Sequence, residues 1–167
     1  MKLPIGRMGK KTEKIAIHGA IKEDLPQIKN LFFESQKYAR RFDEDVVVNE
    51  QTKQEVGRQT DKLFKEPNGK IFVAEKNKKA VGFIYVAFSP GITKSGWVGE
   101  IFVANPLRRK RIGSKLMETG IEWLKQRGAR KIELTAFKTN QGALFFYKKH
   151  QFKKQPAKFI KLGKEIK

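Results

Sequence analysis

The 167-residue chain contains no cysteine. That excludes disulfides, thiolate-bound metal and any covalent intermediate on a thiol, and it fits a reducing compartment. Long apolar runs are also missing. The longest, around Phe83 to Phe88, is about eight residues, against the roughly 20 that a membrane-spanning helix needs. The N-terminus has no apolar signal-peptide core, so a cytoplasmic protein without a membrane partner is expected. Histidine is scarce. His18 and His150 stand without ligand partners at metal spacing, so no metal is expected and neither histidine is assigned a role. No internal repeat or low-complexity segment is present.

Acid is in short supply. Lys and Arg number 37 against 17 Asp and Glu, for a formal net charge of +20. Such a field attracts anions, polyphosphates and nucleic acids alike, with strong salt dependence. The charge is unevenly spread. Residues 1–14 carry five cations and one acid, and residues 148–167 carry eight lysines and one acid, Glu165. The segment 43–66 reverses the sign, with Asp43, Glu44, Asp45, Glu50, Glu55, Asp61 and Glu66 against Lys53, Arg58, Lys62 and Lys65. Hydrophobic content of 39% and aromatic content of 11% suit a folded globular chain, and the length suits one domain with a real core.

Residues 1–14 read as a flexible basic tail and 15–167 as the folded domain. Lys14 to Ile21 alternates as a first strand. Asp24 before Leu25-Pro26 predicts a helix N-cap, and Ile28, Leu31, Phe32 and Ser35 form a helical stripe. A second helix is predicted from Asn49 to Lys65, ended by Pro67-Asn68-Gly69. Strands over Lys70–Glu75 and Ala80–Phe88 read as a hairpin, followed by a third strand from Gly96 to Val103. A helix beginning at Ile112 buries Leu116, Met117, Gly120, Ile121 and Leu124, with Gly128 as its C′ residue. Lys131 to Ala136 is a further strand, parallel to the one before the helix because a hairpin cannot contain a helix of this length. Asn140 starts a last helix with Ala143, Phe146, Tyr147 and His150 on one side. Phe152 to Leu162 is β-like and basic.

The most informative stretch runs from Glu100 to Ser114. An apolar strand is stopped by Pro106, which has no N–H for a ladder. Arg108, Arg109, Lys110 and Arg111 follow, then Ile112, Gly113 and Ser114 open a helix. A helix N-terminus offers unpaired N–H groups and a positive dipole end, so cations and a glycine at that point suggest a phosphate-bearing ligand. Arg108-Arg109-Lys110-Arg111-Ile112-Gly113 resembles the Arg/Gln-x-x-Gly-x-Gly/Ala pyrophosphate loop of the GNAT superfamily of N-acetyltransferases, with Arg111 at the middle glycine. A second block, Asn140 to Phe152, resembles that family's Asn-x-x-Ala-x-x-Phe-Tyr-x-x-x-Gly-Phe at Asn140, Ala143, Phe146, Tyr147 and Phe152, with Gln151 in place of glycine. The element order β-α-α-β-β-β-α-β-α-β is also that of the family, over about residues 15 to 162.

The resemblance implies an α/β (α+β) single-domain fold: a mixed, mostly antiparallel sheet with one splayed parallel pair and helices on both faces. It implies acetyl-CoA as acyl donor, without a metal, and an amine acceptor. Tyr147 would protonate the leaving CoA sulfur. Backbone at Ile101, Phe102 and Val103 would hold the thioester carbonyl and pantetheine. The amides of Arg108 to Ser114 would hold the phosphates, with the Arg111 side chain on the 3′-phosphate. Asn140, Ala143, Phe146 and Tyr147 complete the cofactor site; Asn140 has helix capping and pantetheine contact open to it. Glu100 would take the proton of the amine. Its placement between Val98 and Phe102 on one side of the strand would desolvate it and raise its pKa; an edge-strand ion pair with a lysine is the alternative. The acidic 43–66 segment points to a cationic acceptor such as a polyamine, an aminoglycoside or a peptide amine. Association with RNA or the ribosome through the basic tails, a non-catalytic CoA sensor and a homodimer stay open.

Overall fold

The structure, a computed structural model, describes residues 14–156. The expected basic tail, Lys14 apart, lies outside these residues. In chain order the elements are β1 Ala16–Gly19, α1 Leu25–Ala39, α2 Glu50–Lys65, β2 Gly69–Lys76, β3 Lys79–Ser89, β4 Ser95–Val103, α3 Ile112–Gln126, β5 Lys131–Leu134 and α4 Gln141–Lys149. Short 3₁₀ turns at Lys22–Asp24 and Asn105–Leu107 precede α1 and α3. The final strand expected over 152–162 falls largely outside the described residues, and 152–156 have no regular structure.

Local chemistry sets the boundaries. Asn49 caps α2 by accepting the Thr52 N–H at 2.8 Å. Asp24 does not cap α1 as expected. Its carboxylate turns back to accept the Ile21 N–H at 2.9 Å and closes the 3₁₀ turn instead. Gly128 ends α3 at φ 86, a left-handed C′ residue. Asn77 and Lys78 join β2 to β3 with φ 51 and 61, the two-residue hairpin geometry whose twist matches the flanking strands.

The chain divides into two compact units, one ending at Thr135 and one starting at Ala136. The first holds a five-stranded sheet in the order β1-β2-β3-β4-β5. All pairs are antiparallel except β4 and β5, which are parallel. Helices cover both faces of this sheet. On one, Ile28, Leu31 and Phe32 of α1 pack with Ile71, Val73, Phe83, Tyr85 and Phe102, joined by Val56, Leu63 and Phe64 of α2. On the other lies α3. A Cβ at Gly120 would meet Val86 at 2.9 Å and Ile84 at 3.0 Å, so the missing side chain is what lets α3 sit this close. The second unit holds α4, whose Ala143, Phe146, Tyr147 and His150 are half-buried while Leu144 and Phe145 are exposed.

Candidate active site

The site begins with an extra residue in β4. Tyr85 opposes Glu100 and Val86 opposes Val98, so Gly99 has no partner on β3 and forms a β-bulge. The bulge sorts the side chains. Val98 faces α3 with Val86, whereas Glu100 and Phe102 face α1 and α2 with Tyr85 and Phe83. Val98 therefore does not flank Glu100 on one side of the strand, as simple alternation had suggested. The inserted glycine shifts the alternation by one.

The bulge also marks where β4 leaves β5. The parallel ladder runs from Ser95 opposite Lys131 to Val98 opposite Leu134 and stops there. Beyond it β4 pairs with β3. Ala104 N–H reaches the Val81 carbonyl on β3 at 2.9 Å. Alternation along the strand then aims the N–H groups of Ile101 and Val103 away from β3, toward the side that β5 has vacated. The Phe102 ring is buried in the α1 face.

Glu100 is largely buried, and its Oε1 has no hydrogen-bond partner among the described residues. Burial pushes its carboxyl from the usual 4.5 up to about 7, against the opposing effect of a hydrogen bond with Ser35. It lies on a cleft of about 260 Å³. From α1 come Phe32 and Gln36, and from α2 come Val56, Gln59, Thr60 and Leu63. Tyr85 and Gly99 complete the lining with Glu100. A Cβ at Gly99 would stand 2.7 Å from the Tyr85 ring, and one at Gly69 would stand 2.7 Å from its hydroxyl, so two glycines on flanking strands make room for this side chain. Burial, and then the nearby Glu66 charge, raise the Tyr85 pKa and keep the phenol protonated.

The basic loop lies between β4 and α3. Arg108 is turned inward: its Nε donates to the Val103 carbonyl at 2.9 Å, and its guanidinium stacks on Tyr38 at 4.0 Å and lies 5.2 Å from Phe102. Its N–H is spent on Asn105 C=O. Arg108 is thus a brace for the loop, and its amide is not open to a phosphate as the sequence had suggested. Arg109, Lys110 and Arg111 are exposed. The first bond of the α3 ladder runs from Lys115 N–H to Arg111 C=O, and the Arg111 side chain does not cap the helix. Ile112, Gly113 and Ser114 therefore precede the ladder at the positive end of the helix.

Arg111 has φ 62 and ψ 7, the left-handed region that a glycine adopts freely. Holding a side chain there costs roughly 1–2 kcal/mol. Arg111→Gly is therefore expected to stabilise the protein by about 1 kcal/mol, read from the urea midpoint. An unchanged or lower midpoint would mean that the Arg111 side chain repays its backbone.

In the second unit Asn140 accepts the Ala143 N–H at 3.1 Å and caps α4, the capping one of its two expected roles. Tyr147 lies 5.6 Å from Phe146 and 6.2 Å from Phe152, ring to ring. Gln151 has φ 65.

Sequence reading did not foresee Ser35, Gln36, Gln59, Thr60 and Tyr85 around Glu100. It also placed His18 without partners. The β1–β2 register and the turn before α1 bring Asp24 and Glu75 each to 3.8 Å from a ring nitrogen of His18, a meeting that spacing along the chain cannot reveal. The acids Asp43, Glu44 and Asp45 are not among the residues lining the cleft.

The sequence profile of the Acetyltransferase (GNAT) family matches residues 26–152. The chain belongs to this family. It is 36% identical over 97 residues to an uncharacterized N-acetyltransferase of Methanocaldococcus jannaschii, covering 56% of this chain and 43% of that protein. It is 30% identical over 99 residues to the aminoalkylphosphonate N-acetyltransferase of Salmonella typhimurium, covering 58% and 64%. The match thus spans less than two thirds of either relative. Among solved structures, a transcriptional regulator from Bacillus halodurans C-125 superposes with TM-score 0.71 at 25% identity, covering 92% of this chain and all of that one. The aminoglycoside N-acetyltransferase AAC(6')-Iy in complex with CoA superposes with TM-score 0.71 at 13% identity, covering 97% and 99%, a likeness of fold. The fold expected of this GNAT chain is met.

Proposed function

We propose that this GNAT protein transfers the acetyl group of acetyl-CoA directly to a primary amine, without a metal. The observation that carries the reading is Glu100: a buried carboxyl with an unpartnered oxygen, one residue before the outward amide of Ile101. An alkylamine of pKa about 10.4 is almost wholly protonated at neutral pH and cannot attack a carbonyl. A carboxylate whose own pKa has risen to about 7 narrows the gap for taking that proton, directly or through one water. The neutral nitrogen then attacks the thioester carbon. The amides of Ile101 and Val103 receive the oxyanion and the pantetheine arm, and fixed donors of this kind contribute about 3 kcal/mol. Collapse of the intermediate breaks the C–S bond; Tyr147, assigned from its match to the family motif, gives the thiolate its proton, and the second nitrogen proton, released to water as the amide forms, restores the phenol. The phosphates rest on the amides of Ile112 to Ser114, with Arg109, Lys110 and Arg111 around them. The catalytic domain in this reading runs from residue 15 to 167.

Titration calorimetry of nucleic-acid-free protein with acetyl-CoA, beside dephospho-CoA, tests donor binding. Micromolar binding of acetyl-CoA, weakened for dephospho-CoA, is expected. Absence of binding at low salt overturns the reading.

Replacing Tyr147 by Phe tests the acid. Proton transfer from a phenol of pKa about 10 to a thiolate whose acid has pKa about 8.5 is uphill, so a loss in kcat of roughly tenfold is expected, below the usual 10²- to 10⁴-fold of general acid catalysis. A kcat equal to wild type at every pH removes Tyr147 from the mechanism.

A further inference from the structure

We infer that the acceptor is a slim monoamine: one ammonium group on a largely apolar body with a single neutral hydrogen-bonding group, and neither a polycation nor an amine carrying an acid. This rests on the acetyltransferase reading above and specifies its second substrate.

The lining of the cleft carries the argument. Among the described residues that line it, Glu100 is the only carboxylate, and none is a lysine or arginine. One buried negative group matches one cation. A second ammonium drawn into the cleft would lose its water without gaining a partner, which is costly in a poorly solvated site. Glu66, close enough to act on Tyr85, is not among the lining residues and has an oxygen 3.4 Å from the Asn68 N–H; acids elsewhere on α2 and before it are also engaged. Asp61 is held by Lys29 at 2.7 Å, Glu50 lies 3.7 Å from Lys53, and Asp43 folds back onto the Asp45 N–H at 3.1 Å. An acceptor bearing its own carboxylate or phosphonate would likewise find no cation in the lining.

The apolar part of the wall comes from Phe32, Val56 and Leu63, beside the phenol of Tyr85. The Thr60 hydroxyl is already spent on the Val56 carbonyl at 2.8 Å. Gln36 and Gln59 bring carboxamides, which pair with a hydroxyl or amide; their oxygens can accept from an ammonium but bring no countercharge. The volume, about 260 Å³, is at the small end for ligand pockets and suits a slender molecule.

The test is a panel of acetyl acceptors assayed by release of CoA thiol, with acetyl-CoA binding measured alongside by calorimetry. Tyramine and phenylethylamine represent the inferred class. Spermidine and kanamycin represent polycations, and 2-aminoethylphosphonate represents acid-bearing amines. Wild-type kcat/KM is expected to be at least tenfold higher for tyramine than for spermidine, kanamycin or the phosphonate. The variant Gln59→Glu adds a second carboxylate at the exposed rim of the cleft, where the fold tolerates it. It should improve spermidine relative to tyramine by about threefold, in line with the modest worth of an exposed ion pair. A wild-type preference for spermidine or kanamycin overturns the inference and leaves the acetyltransferase reading standing. The same holds if acetyl-CoA binds but no monoamine is acetylated. If acetyl-CoA does not bind at all, both fall together.

Discussion

Glu100→Gln is expected to lower kcat/KM at pH 7 by 10²- to 10⁴-fold, the usual worth of a positioned general base, while acetyl-CoA binding stays within about twofold because the carboxylate acts on the amine. The wild-type profile of kcat/KM should rise with pH along an acid limb whose midpoint is near 7, where Glu100 loses its proton. The variant should lack that limb. Stability moves the other way. The folded pKa, about 7, is above the ordinary 4.5, so between these values the native state holds a proton that the unfolded chain has released. Stability therefore falls as pH rises through that window and levels off above it. At about 1.4 kcal/mol per pKa unit the full effect is of the order of 3 kcal/mol. Glu100→Gln should remove this slope, matching wild type near pH 4 and exceeding it at pH 8 in urea melts. A variant that is inactive but has the wild-type stability slope would put the perturbed group elsewhere.

Phe83→Ala is expected to cost about 3–5 kcal/mol of stability, the range for truncating a fully buried ring. Phe83 is wholly buried, stacks on Phe32 with centroids 4.0 Å apart, and lies 6.5 Å from Phe102. It is the centre of the layer that holds α1 against the sheet, and Phe32 of α1 is also a wall of the Glu100 cleft. The urea midpoint should drop with little change in slope. Activity at a temperature where the variant stays folded should fall mainly through KM, since the wall of the proposed acceptor cleft loosens while Glu100 remains. A loss below about 1 kcal/mol would mean that α1 collapses into the space and that the layer is more plastic than its packing implies.

The order of strands and helices was legible because periodicity, caps and turn residues speak locally. Asn49, Gly128 and the Asn77-Lys78 join all act where the sequence put them. The parallel β4–β5 pair followed from the helix between them. The cleft was less legible. Glu100 could be singled out as an acid in an apolar strand, but its companions come from three other elements, and Thr60 reads as one more polar residue in a polar helix. The one local clue to the bulge was Gly99, a glycine inside a strand pattern. Arg108 was misjudged for a related reason: a run of four cations looks uniform in sequence, and only the fold gives one of them an aromatic bed on Tyr38. The two motif positions where this chain departs from glycine, Arg111 and Gln151, both adopt positive φ. The geometry is kept although the residue is not, so the backbone path, rather than the glycine itself, is what the motif encodes.

Gly99 has a consequence of a different kind. Because it is an insertion, taking it out would leave Val98 facing α3 and Glu100 facing α1, as both do now. What would disappear is the bend that accompanies a bulge, and with it the reason for β4 to part from β5 after Val98. The strand would be free to zip onward, consuming the outward amides of Ile101 and Val103 in an ordinary ladder. In the proposed donor site, the capacity to hold an acyl donor then resides in a length of backbone that adds no functional side chain. A shortened β4 could fold as well as this one, with every recognised motif residue in place, and have nowhere to put the thioester.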